Sequence, residues 1–125
     1  WSYATNSQLG ASSVPGINLT ALNQRLMERQ AAGVLHRDMA ACNQYQGGFD
    51  AAGQVTCPVL LLSAAQDRMT PPKAVAPLAA AFTATGFVKQ TILPSAGHAM
   101  MAERPWQVLD ALWQFAASIF SESPP

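Results

Sequence analysis

One stretch, Val59-Leu-Leu-Leu-Ser63, narrows the possible folds of this chain more than any other. It is a run of bulky apolar residues with no polar alternation. A strand with one wet face alternates; a strand covered on both faces does not, and such strands belong to parallel sheets. The run is too short for a membrane span, which needs about 20 residues. A second strand is expected over Phe87-Val-Lys-Gln-Thr-Ile-Leu93. Between the two, Thr70-Pro71 reads as N-cap and first residue of a helix that continues to about Thr85, with Gly86 beyond its end. Strand, helix and strand in this order predict a right-handed βαβ unit with parallel strands. Pro94-Ser-Ala-Gly-His98 is a turn, and Pro105 opens a last helix. Its Trp106, Leu109, Leu112, Trp113, Ala116 and Phe120 mark an apolar face, so Trp106 and Trp113 are expected to pack against the sheet. Ser121 to Pro125 reads as a frayed tail.

The first part of the chain has a different texture. Residues 1–17 carry Ser, Gly, Asn and Pro without a period and read as a loop. Asn18 has the chemistry of an N-cap, Leu19, Leu22, Leu26 and Met27 follow at helical spacing, and Gly33 stops the segment. A second helix is expected from about Leu35 to Gln46, ended by Gly47-Gly48. The fold class is therefore α/β, divided into a loop and helices over 1–48 and a βαβα unit over 49–125. No internal repeat or low-complexity block interrupts either part.

Charge restricts the partners. Seven Lys and Arg balance seven Asp and Glu, so no basic excess exists to hold a phosphate backbone, and nucleic acid is not an expected partner. Nor is a membrane, and no basic and apolar leader marks the N-terminus, so a cytoplasmic location is expected. Charged residues are only 11% of the chain, against roughly 25% in an average soluble domain. Either an alanine-rich helical surface explains this, or more protein covers part of it. Cys42 and Cys57 lack a C-x-x-C spacing and are expected to be buried free thiols. His36 and His98 show no zinc spacing, so neither a structural metal nor a cofactor is expected.

Asp67 follows the first strand and His98 follows the second. Adjacent parallel strands lie about 4.8 Å apart, and their C-terminal ends open on one edge, where active sites collect. A carboxylate and an imidazole leaving neighbouring strands can meet there, the carboxylate fixing the tautomer of the ring. Each has a plainer reading alone. Asp67 could serve only to cap the following helix, and His98 could be a turn histidine. His36, beside Arg37 and Asp38, reads as structural or surface. Met100 and Met101 read as pocket or core filler.

Cys57-Pro-Val-Leu-Leu-Leu-Ser-Ala-Ala-Gln-Asp67-Arg-Met-Thr-Pro71, followed by Leu93-Pro-Ser-Ala-Gly-His98-Ala-Met-Met-Ala-Glu103-Arg-Pro105, resembles the C-terminal part of an α/β-hydrolase-fold protein. The pattern there is an apolar strand, G-x-x-D-x-x-x-P, a helix, a strand, and G-H-x-x-x-x-E-x-P. The resemblance covers roughly 49–120, with Ser63-Ala64 where the superfamily often has glycine; residues 18–48 resemble the end of a helical cap. It implies a partial α/β-hydrolase fold holding strands seven and eight, with Asp67 as triad acid and His98 as triad base. The nucleophile of that superfamily sits on a G-x-S-x-G elbow, and no such pentapeptide occurs here; Gly10-Ala-Ser12-Ser13 lacks the second glycine. The resemblance thus implies a C-terminal fragment of a hydrolase acting on an ester, amide or related bond of a small-molecule substrate, inactive by itself. Haloperoxidase-like and C–C-bond hydrolases share the triad and stay open. The alternative is a non-catalytic interaction domain that kept the fold. With no sixth strand, Val59–Ser63 would be an unpaired apolar edge, so a homo-oligomer or association with the missing N-terminal half is expected.

Overall fold

A computed structural model describes residues 18–121. The elements run α1 (Leu19–Glu28), α2 (Val34–Gln44), α3 (Gly48–Ala52), β1 (Val59–Ala64), α4 (Pro72–Ala81), β2 (Val88–Leu93), α5 (Met100–Glu103) and α6 (Pro105–Ser121). β1 and β2 pair in parallel, with Val59 opposite Val88 and Ala64 opposite Leu93. The chain is thus mixed α/β with a two-stranded parallel sheet. The expected strand–helix–strand–helix order is present; the loop at 1–17 and the end of the tail lie outside the described residues.

Local chemistry explains most boundaries. The Asn18 side chain accepts from the Ala21 amide at 2.9 Å, capping α1, a bond worth about 1 kcal/mol. Gly33, between α1 and α2, has φ +83°, a left-handed conformation that a side chain would strain. α4 differs from expectation at both ends. Pro71, extended at φ −63° and ψ 150°, takes the N-cap position, because Thr70 is engaged elsewhere. The helix stops at Ala81 rather than Thr85, since Phe82 turns to ψ 74°. α3 and α5 are short turns that no apolar period announces.

α6 lies on β2, and α4 packs across both strands. The core cluster is Ala64, Leu93, Ala96, Val108 and Ala111, with Leu62 and Met100 packed against it. Register puts Leu62 beside Thr91 and Ala64 beside Leu93, so these residues share the sheet face that meets α6. Three of the five cluster residues are alanine, which lets the helix approach closely. The ring of Phe115 on α6 stacks on Phe87 just before β2, with centroids 6.0 Å apart.

This packing corrects two expectations. Trp106 and Trp113 do not pack on the sheet; they are 72% and 74% exposed. α6 carries two apolar arcs, and the one with Val108 and Ala111 fits the alanine-lined face where indole rings would not. Cys42 and Cys57 are free but exposed, not buried: α2 buries no residue, and Cys57 precedes the sheet rather than entering it. Met100 fills the core as expected, whereas Met101 is exposed.

Candidate active site

Hydrogen bonding between the strands continues past their ends. The Ala65 amide donates to the Leu93 carbonyl, and the Gln66 amide to the Ala96 carbonyl, each at 2.9 Å. These bonds hold the loop after β1 against the loop after β2. They bring the side chains of Asp67 and His98, 31 residues apart, to 3.0 Å between Oδ2 and Nδ1. His36 lies exposed on α2.

Asp67 is buried, with a side chain only 3% exposed, while that of His98 is 28% exposed. The carboxylate is well satisfied. Its Oδ1 accepts from the amides of Met69 at 2.8 Å and Thr70 at 2.9 Å. Its Oδ2 accepts from the Thr70 hydroxyl at 2.8 Å as well as from His98. Burial works to raise the Asp67 pKa, but the Thr70 amide, His98, the Thr70 hydroxyl and the Met69 amide together outweigh it, and the pKa falls below 3.8. Asp67 is therefore ionised at neutral pH and can only accept. The nitrogen facing it must carry the proton, which fixes His98 as the Nδ1–H tautomer.

Two participants were not singled out by the sequence. Thr70, expected as a helix cap, instead donates its hydroxyl to the acid. Glu103, 2% exposed, accepts the Gly97 amide on Oε2 at 2.8 Å, next to His98. The D-x-x-T and G-H-x-x-x-x-E spacings contained both signals, but neither spacing states a contact. The turn before His98 is strained: Ser95 has φ +54°, where non-glycine residues pay about 1–2 kcal/mol.

Among the described residues, no three His, Cys, Asp or Glu side chains gather as a metal cluster. A cavity of about 420 Å³ lies along α1 and α2, lined by Leu26, Met27, Val34 and Leu35 among others; neither Asp67 nor His98 lines it. No described helix is long and apolar enough to cross a membrane. No family model, curated protein or solved structure matches the chain. What the site defines is a class of chemistry: an ionised, buried carboxylate holding a partly exposed imidazole in one tautomer, at the C-terminal edge of parallel strands.

Proposed function

We propose that this chain is the C-terminal part of an α/β-hydrolase-fold enzyme, with Asp67 as acid and His98 as base of a Ser-His-Asp type triad. The observation that carries the reading is the 3.0 Å contact between Asp67 Oδ2 and His98 Nδ1 across consecutive parallel strand ends. In the reaction His98 Nε2, the ring nitrogen turned away from Asp67 by that contact, takes the proton of a nucleophile supplied from outside this chain. The resulting imidazolium donates from Nδ1 to Asp67, which stays ionised and stabilises it. His98 then passes the proton to the leaving group, and in the second half-reaction takes one from water. The bond cleaved is an ester, amide or related bond of a small molecule.

The same reading accounts for the surface. Leu109, Leu112, Trp113 and Phe120 on α6 are exposed, and the outer edge of β1 meets no strand among the described residues. A neighbouring strand and helices of the remaining enzyme, or a second copy, would cover them.

The test is acyl-enzyme trapping with p-nitrophenyl acetate. The 125-residue chain alone is expected to show no burst and no turnover beyond that of His98→Ala. Joined to the segment encoded before it, turnover is expected, and is lost in His98→Ala. An acyl-serine on the chain alone, or a joined protein indifferent to His98→Ala, would overturn the reading.

A further inference from the structure

Glu103 is the most deeply buried large side chain among the described residues, and the chemistry above does not use it. A carboxylate with 2% exposure is costly to bury unless it is held by donors. Glu103 stands at the end of α5, five residues after His98, and reaches back along the chain. Its Oε2 accepts from the Gly97 amide at 2.8 Å, and its own amide donates to the Ala99 carbonyl at 2.9 Å. The residues immediately before and after His98 are thus both bound to Glu103.

The opposite side of the loop is tied as firmly. Gln66, the residue before Asp67, donates to the carbonyl of Ala96, the residue before Gly97. A closed circuit results: Asp67, Gln66, Ala96, Gly97, Glu103, Ala99, His98, and back to Asp67 through the 3.0 Å side-chain contact. Five of its seven links are peptide bonds or backbone hydrogen bonds. The other two are the Asp67–His98 contact itself and the bond from the Gly97 amide to the Glu103 carboxylate, the one side-chain link that holds the loop rather than the pair. From this circuit we infer that Glu103 is a positioning residue: its carboxylate holds the Gly97 amide and thereby sets the backbone at which His98 Nδ1 meets Asp67. This rests on the reading of Asp67 and His98 as an acid–base pair, but it concerns the geometry of the pair rather than turnover.

NMR of the chain tests it through Gly97 amide exchange and the lifetime of the His98 Nδ1 proton. In the unsubstituted protein the Gly97 amide is expected to be protected at least about fivefold over an open peptide, as an ordinary intramolecular hydrogen bond gives. Glu103→Ala should remove that protection and shorten the Nδ1 proton lifetime by about tenfold or more, with β1, β2 and α6 resonances retained. Glu103→Gln keeps an acceptor oxygen and should restore most of both. A merely structural Glu103 would, when removed, lower the unfolding midpoint yet leave the Nδ1 proton lifetime unchanged in the folded molecules, and that result would overturn the inference. So would a Gly97 amide that exchanges freely in the unsubstituted protein, a measurement that stands even if Glu103→Ala fails to fold. Loss of esterase activity in the joined enzyme with these readouts intact would count against the hydrolase reading alone.

Discussion

Replacing Asp67 by Asn changes one atom and reverses the polarity of half the site. The amide oxygen can keep the two bonds from the Met69 and Thr70 amides, at 2.8 and 2.9 Å. The new amino group then occupies the Oδ2 position and faces two donors, the Thr70 hydroxyl at 2.8 Å and His98 Nδ1 at 3.0 Å. The hydroxyl can rotate and accept. The imidazole can accept only by moving its proton to Nε2, so the tautomer flips. No bond need be lost, but all four fall from charged to neutral strength, each by about 0.5–1.5 kcal/mol. Relief of the buried charge offsets part of this, leaving a net loss of about 2 kcal/mol at pH 7. Urea unfolding measures the loss, and imidazole ¹⁵N shifts report the tautomer. The pH dependence has a definite sign. Because the native pKa of Asp67 is lowered, its contribution is complete above the unfolded value of about 3.9 and is lost as pH falls through the native one. The gap between the two proteins should therefore close in acid. A loss under about 0.5 kcal/mol with the Nδ1 proton still present, or a gap that widens in acid, would refute the reasoning.

Trp106→Ser and Trp113→Ser, at 72% and 74% exposure, should each shift the unfolding free energy by no more than about 0.5 kcal/mol, whereas Leu93→Ala, at 5%, should cost about 2–4 kcal/mol; the reverse order in denaturant titrations would mean that α6 faces the sheet with its other arc. Cys42 and Cys57, both exposed, should react with a thiol reagent in the folded protein before any unfolding, and a thiol that reacts only in denaturant would contradict its placement. Ser95→Val puts a β-branched residue at φ +54° and should lower stability by about 1–2 kcal/mol in thermal melts, while Ser95→Gly should be neutral or mildly stabilising.

The parallel pairing was legible because Val59–Ser63 has no polar alternation, and a two-faced burial demand leaves few architectures. Asp67 and His98 were legible because each lies in the loop that leaves a strand's C-terminal end, where topology puts both loops on one edge. The face of α6 was not, because both of its arcs are apolar and periodicity gives no phase; Ala64 and Ala96 opposite it decided, and they lie 12 to 47 residues before Val108 and Ala111 in the chain. Thr70 fits both a helix cap and a donor to Asp67, and only the position of the carboxylate chooses between them. The G-H-x-x-x-x-E spacing put Glu103 near His98 in sequence but said nothing of its burial, since a glutamate is ordinarily solvated.

The bonds from Ala65 to Leu93 and from Gln66 to Ala96 also bear on motion. Loops usually fluctuate independently of one another on the nanosecond scale and beyond. Two loops stitched by main-chain bonds in continuation of a ladder share their displacements, much as neighbouring rungs do. Thermal agitation at this edge then carries the carboxylate and the imidazole along together while their separation stays nearly constant. On the proposed reading, a reacting group arriving at the ring would meet a partner whose orientation has already been settled by folding, so little conformational freedom would remain to be surrendered at the moment of proton transfer.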